Sequence, residues 1–518
     1  MVAVEPGLVR IPKHFRVAAS PPATSLEFTV EVDEPGQLEL DEVVVARHPV
    51  NGHGLVRYWG IVDSTQRSER YTALVKVLRI HPEVYVPPAP GAEVWQADAE
   101  NVAWALRFSQ MARKIPAGLL ANGQPAFFNL DYLTGTHGAH VNIMGMSGVA
   151  TKTSYALFLL YGLLHSSQAA RSRVIVFNVK GDDLLYLHRP NGTLSPEDVA
   201  EYTRLGLPCG PFPKVAYHGV GRPMWSLGGF ASHELIRHLF VDEETSPALE
   251  FAIDGLAQAL RQQAQGERLV VDGMEVRDLP HLTDIICHQA ELSDCPWFEK
   301  STANTRSSLV RRLRSITPQV AELIGVGGNF SYEASMNVVD VNRLSHRARS
   351  FVVASVLQAV LQGRETQGSD HPRVYLMLDE LNQYAPREGM GPIGRVLLDI
   401  AERGRSLGIL LVGAEQMASQ VEQRVVANAS LRVAGRLECA EAARESSAWL
   451  TGGMQQRASL LLPGTMIVSQ PEVPMPLLVR FPFPAWATRE SEAAEPRPRR
   501  TVPPDWVREM QDRALDPG

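Results

Sequence analysis

The chain has 518 residues, 45% hydrophobic and 21% charged, with a formal net charge of -7. This is the make-up of a globular protein with room for two or three domains, and any nucleic-acid contact must come from a local basic surface. Cys209, Cys287, Cys295 and Cys439 stand far apart without metal-ligand spacing, which predicts reduced thiols in a cytoplasmic protein. No apolar run reaches bilayer length, and Met1 to Pro6 does not read as a signal peptide.

Residues 1–95 read as β structure. Leu26 to Val32 alternates apolar and polar, as a strand with one wet face should. Val43 to Ala46, Gly54 to Val62 and Tyr71 to Leu78 are further short runs, separated by turn signals such as Glu34-Pro35-Gly36 and Asn51-Gly52. Short strands with no helical period predict a small barrel, closed off by Pro87 to Gly91. Asp98 to Ala112 reads as a helix leading to an apolar entry at Phe127 to Leu130.

From residue 141 the rhythm changes. Val141 to Met144, Val174 to Phe177, Val374 to Leu378, Ile409 to Val412 and Leu431 to Val433 are short apolar runs with helical patterns between them. This predicts an α/β core over 96–484 with a mostly parallel sheet covered by helices on both faces. Phe230 to Phe240, Ala248 to Gln263, Leu282 to Glu291 and Thr302 to Ile316 read as an α-helical insertion at about 225–330. Arg306, Arg311, Arg312 and Arg314 fall broadly on one side of the last of these. That side is either a solvated face or a nucleic-acid-facing one. Residues 485–518, Pro-rich and charged, read as a tail without its own core.

The core is organised around one stretch. The apolar run Val141 to Met144 leads into Gly145, Met146, Ser147, Gly148, Val149, Ala150 and Thr151, then Lys152, Thr153 and Ser154 open a helical pattern. Strand, glycine turn, lysine, hydroxyl and helix is the order of a phosphate-binding loop. Its backbone N–H groups cradle phosphate oxygens, Lys152 supplies a point charge, and the Thr153 hydroxyl completes the shell of a bound Mg²⁺. Such loops carry glycine directly before the lysine. Here Thr151 stands there, and the loop is one residue longer than usual. A strand–turn–helix corner with an incidental lysine is the alternative.

Downstream residues favour the nucleotide. Val374 to Leu378 ends in Asp379-Glu380, so a buried strand delivers two carboxylates to the sheet edge where open α/β proteins bind ligands. Asp379 would hold Mg²⁺ through its water shell, and Glu380 would polarise the water that attacks a γ-phosphate. Alternatively the two acids only favour the start of a helix. Ile393 to Gly408 forms an amphipathic helix ending in Arg403 and Arg405, which are either dipole partners or an arginine finger for a neighbouring subunit. Gln416, just beyond the strand Ile409 to Val412, is placed to sense the γ-phosphate. Phe177 to Asp183 should lie near the nucleotide, with no individual role readable.

Together these stretches resemble the HerA family of hexameric DNA-translocating ATPases, in the HerA–FtsK branch of RecA-like P-loop proteins. On that resemblance, residues 1–95 are the family's barrel, His140 to Ser154 its Walker A region, and Leu376 to Glu380 its Walker B. Arg403 to Gly408 is similar to a Gly-Arg-x-x-Gly signature, Gln416 to the sensor glutamine, and Arg405 to the trans finger of FtsK relatives. Asn178 replaces an Asp of a further motif, with Asp182 or Asp183 in place of its Glu. The resemblance implies ATP and Mg²⁺ as cofactors, a homo-hexameric ring, double-stranded DNA as the moved substrate and no membrane. It also implies a partner nuclease such as NurA, or an effector of anti-phage defence. A nucleotide-binding ring scaffold that assembles a partner enzyme without translocation is the alternative. A conjugative coupling ATPase is disfavoured because no membrane anchor precedes the loop.

Overall fold

The computed structural model describes residues 14–146 and 152–493, except Pro35, Glu69, Val220, Glu244, Ser293 and Lys300. Its N-terminal part is a closed barrel of β1 (His14–Val17), β2 (Glu27–Val32), β3 (Val43–Val50), β4 (Gly54–Arg67), β5 (Tyr71–His81) and β6 (Glu93–Gln96), in the order β1-β2-β5-β4-β3-β6. Alternation builds it: Phe28, Val30 and Val32 point inward with Val44, Tyr58 and Val75, while Glu27 and Glu31 stay on the outer side. The first half of β3 and the middle of β4 are buried on both faces. Val43, Val45, Trp59 and Ile61 turn away from the barrel core and pack with Trp104, Leu106 and Phe108.

The expected helix from Asp98 to Ala112 is shorter, Ala99–Ala105. Asp98 caps it by accepting from the Asn101 N–H. Arg107 then takes a left-handed φ of 61°, and Leu106, Phe108 and Met111 are buried against the barrel and sheet. Burial of the apolar residues outweighs their helical spacing.

The core sheet has eleven strands. β7 (Lys114–Leu119), β8 (Pro125–Asn129), β9 (Val141–Met144), β10 (Ser172–Asn178), β11 (Val215–His218), β15 (Met336–Asp340), β16 (Arg373–Asp379), β17 (Ile409–Glu415), β18 (Leu431–Ala434), β19 (Thr465–Ser469) and β20 (Leu477–Arg480) run in the order β11-β15-β10-β16-β17-β9-β18-β19-β20-β7-β8. β11 through β18 pair in parallel; β18 through β8 are antiparallel. The sheet is mostly parallel, as expected of a RecA-like core. Strand β9, which enters the phosphate-loop stretch, is separated from the acid-bearing β16 by β17. Met144 is level with Glu415, and Ala414 with Asp379, so the strand ends meet along one edge.

The insertion is helical, with Pro247–Gln262, Leu279–Glu291 and Ala303–Val320 close to expectation. Two points differ. Phe230 to Phe240 is broken into Leu227–Ser232 and a 3₁₀ turn Leu235–Phe240, at Glu234 with φ 55°. Glu234 is fixed there by Arg237 and Arg261, at 2.9 and 3.0 Å. A small sheet of β12 (Ala264–Gln265), β13 (Arg268–Val271) and β14 (Met274–Glu275) also lies in this region. The basic helix presents no single free face, because Arg306 donates to the Leu292 carbonyl and Arg312 pairs with Glu243. Arg311 and Arg314 are exposed. Of the tail expected from 485, residues 485–493 are described: Ala485, Trp486 and Ala487 are buried, and Trp486 packs among Tyr161 and Phe212. Residues 494–518 lie outside the described residues.

Candidate active site at the edge of the parallel strands

Of the phosphate-loop stretch, Gly145, Lys152, Thr153 and Ser154 are described; Ser147, Gly148, Val149, Ala150 and Thr151 lie outside the described residues. The loop's entry is tied down, with the Gly145 N–H donating to the Glu415 carbonyl and Met146 to Arg436. His140 anchors β9 from below: it accepts from the Leu411 N–H on Nδ1 at 2.9 Å, and burial pushes its pKa down to about 4, so it stays neutral. Lys152 opens the helix Lys152–Leu164 and is 6% exposed. Its Nζ donates 2.7 Å to the Gly145 carbonyl. Burial lowers its pKa, partly offset by Asp379 and Glu380.

The sequence-predicted residues converge. The Thr153 hydroxyl donates to Asp379 Oδ2 at 2.8 Å. Gln416 Nε2 donates to Glu380 Oε1 at 3.2 Å. Glu380, 5% exposed, sits in the left-handed region at φ 56°. A non-glycine residue there costs on the order of 1 kcal/mol or more, and such strain collects at working sites. Its backbone N–H donates to Asp379 Oδ1 at 2.9 Å, so the two acids brace each other. Ser154 lies in the first turn of the helix and makes no side-chain hydrogen bond among the described residues.

Arg405 stands apart from this cluster. It is exposed, and its guanidinium donates to the Gly135 and Thr136 carbonyls at 2.8 and 2.7 Å. Arg403 is held by Asp399 on its own helix and by Glu365.

Sequence reasoning assigned no role to two side chains that the structure places here. Lys180 donates to Glu380 Oε1, the same oxygen that Gln416 reaches. It is presented there by a turn that Asn178 fixes, through bonds to the Gly181 carbonyl (3.0 Å) and Asp340 Oδ1 (2.9 Å). Burial pushes the Glu380 carboxyl up, but bonds from Lys180 and Gln416 outweigh it and hold it below its ordinary value. The other is Glu415, fully buried at the end of β17, which accepts from Asn142 Nδ2 at 2.6 Å. Burial pushes it up to about 8. An acid closing an all-apolar strand beside the loop was the available signal.

The side chains fit a Mg²⁺-bound triphosphate. A hydroxyl and a carboxylate oxygen share one spot, the hard-oxygen set that Mg²⁺ takes. A buried ammonium rests on a single neutral carbonyl among the described residues, leaving it free to engage phosphate oxygens. Beside them stands an ionised carboxylate oriented by an amide and an amine.

No family model and no curated protein matches the chain. Among solved structures, VirB4 of Thermoanaerobacter pseudethanolicus is similar over 71% of this chain and 96% of its own, at 14% identity and a TM-score of 0.46. The bacterial conjugative coupling protein TrwBdeltaN70 is similar over 74% of this chain and 93% of its own, at 14% identity and 0.46. TrwB in complex with ADP and Mg²⁺ covers 75% and 94%, at 15% and 0.44. Likeness at this level leaves the activity to be read from the chain's own residues. Among the described residues, no helix is long and apolar enough to cross a membrane.

Proposed function

We propose that the chain is an ATPase of the HerA–FtsK type that assembles as a homo-hexameric ring in the cytoplasm and moves double-stranded DNA. The observation that supports the ATPase part of this is the meeting of Lys152, Thr153, Asp379, Glu380 and Gln416 at one sheet edge, through the bonds Thr153–Asp379 and Gln416–Glu380; the ring, the compartment and the DNA rest on the family resemblance. Lys152 binds the outer phosphates. Thr153 and Asp379 would hold a Mg²⁺, which would supply charge neutralisation on the phosphates. Glu380, kept ionised by Lys180 and Gln416, accepts the proton of the attacking water. Arg405, exposed and bonded among the described residues to the Gly135 and Thr136 carbonyls, is presented to a neighbouring subunit's γ-phosphate. The division into barrel (1–95), core (96–484, with its insertion) and tail belongs to the same reading. A nuclease such as NurA or a defence effector is the partner this family reading implies.

One feature favours a second reading, a nucleotide-binding scaffold without translocation: Thr151 occupies the glycine position before Lys152. ATP turnover with and without duplex DNA separates the two. The motor reading expects turnover that duplex stimulates and Lys152→Ala abolishes. Turnover indifferent to DNA supports the scaffold.

A further inference from the structure

The face of the sheet near β18 carries a cavity of about 370 Å³ that the hydrolytic site does not use, lined by Arg387, Ser419, Arg432, Arg444, Glu445 and Ser446 among others. Its lining carries three arginines and one glutamate. Arg432 and Arg444 have no side-chain hydrogen bond or ion pair among the described residues, and Arg387 makes one long bond, 3.5 Å to the Ser419 carbonyl. The nearest buried acid, Glu441, is already used: it accepts from the Ser419 N–H (3.0 Å), the Ser419 hydroxyl (2.6 Å) and the Ser446 hydroxyl (3.4 Å). Three guanidinium groups therefore face one cavity with Glu445 as the lining carboxylate. Arg432 is half-buried at the base; Arg387 and Arg444 are exposed at the rim.

The walls of this cavity continue from the candidate active site. Arg387 lies seven residues after Glu380, and Ser419 three after Gln416. The two segments run side by side: Arg387 N–H donates to the Gln420 carbonyl and Glu422 N–H to Ala385, both at 2.9 Å, with Pro386 bridged to Val421. At their start, Gln416 donates to Glu380. The paired segments thus connect the cavity wall to Gln416 and Glu380.

We infer that this arginine-lined cavity binds phosphate groups of a duplex DNA backbone and that its occupancy is transmitted to Glu380 and Gln416. Guanidinium groups pair with phosphate in a planar, two-bond geometry and lose less hydration than ammonium groups. The rim position of Arg387 and Arg444 suits a long polyanion passing over the mouth. The inference rests on the motor reading above and adds to it the place where DNA contact meets the hydrolytic site.

The test is fluorescence anisotropy of a labelled duplex with the full-length protein across a salt series, comparing wild type with Arg387→Gln/Arg432→Gln/Arg444→Gln. Each phosphate contact contributes about 0.9 to the slope of log affinity against log salt. The triple variant is expected to bind at least about tenfold more weakly and to lose about 2 to 3 from that slope. The single variant Arg444→Glu, at an exposed position, is expected to weaken binding with an unchanged thermal melt. Wild-type affinity and slope in both variants overturn the inference, as does weakened binding with an unchanged slope. Inorganic phosphate that binds in an Arg444-dependent way without competing with duplex makes this a free-anion site and also overturns it. ATP turnover lost in Lys152→Ala while these variants bind duplex normally leaves the motor reading standing and removes only this site.

Discussion

The buried carboxyl of Glu415 gives a stability prediction that follows from its surroundings alone. It is 0% exposed, one oxygen accepts from Asn142, and the other has no partner among the described residues. Burial raises its pKa from 4.5 to about 8, with Lys152 pulling the other way. A folded-state pKa above the unfolded value means the folded chain keeps a proton that the unfolded chain releases. The penalty is absent below about pH 4.5, grows as pH rises, and is complete above about pH 8. At about 1.4 kcal/mol per unit, the full span is on the order of 5 kcal/mol. Glu415→Gln keeps an acceptor for Asn142 and has no charge to bury. Melting midpoints of both proteins across this pH range are expected to coincide at the acid end, with the variant increasingly the more stable toward the alkaline end. Parallel curves would refute the claim that Glu415 is protonated at neutral pH.

Other substitutions test separate parts of the account. Lys180→Met removes a bond that keeps Glu380 ionised, so the acid limb of the ATP turnover profile is expected to move to higher pH; an unmoved limb would mean Lys180 does not act on Glu380. Arg457 Nη1 and Nη2 hold the buried carboxylate of Asp41 at 2.7 and 2.5 Å, joining the barrel to the C-terminal part of the core. Arg457→Ala strands that carboxylate and is expected to cost about 3 kcal/mol in a denaturant titration, whereas a loss under about 1 kcal/mol would show the pair to be solvated. Arg405→Ala subunits and Glu380→Gln subunits, each inactive alone, are expected to regain part of the turnover when mixed, because an Arg405→Ala subunit keeps its own Glu380 and receives Arg405 from a Glu380→Gln neighbour. No regain in mixed rings would argue against Arg405 acting on a neighbour.

Residues whose position is set within one element were readable. Val374 to Leu378 is buried on both faces because its strand is central, so an apolar run ending in Asp379-Glu380 could be placed at the sheet edge unaided. Gln416, just past the neighbouring strand, was located by the same logic. The stretch holding Lys180 was placed near the site, but its contact with Glu380 was not readable, because the turn that presents it depends on Asn178 bonding to Asp340, far along the chain. Glu415 looked like an ordinary strand end, since its surroundings come from Asn142 on β9. The helix expected from Asp98 to Ala112 stops at Ala105 for a similar reason: Leu106, Phe108 and Met111 pack against the barrel. The strands β19, β20 and β7 extend the sheet on the far side of β18 by antiparallel pairing between distant segments, which local periodicity does not encode.

Glu380→Gln, measured for Mg²⁺-ATP binding and for single-turnover hydrolysis in one preparation, addresses the hydrolytic site most directly. The amide keeps the side chain's shape and its contact with Gln416 but cannot take a proton. Binding close to wild type with hydrolysis slowed at least about a hundredfold is the expected result. Hydrolysis at the wild-type rate would contradict it and leave the cluster of Lys152, Thr153, Asp379 and Glu380 without its assigned chemistry.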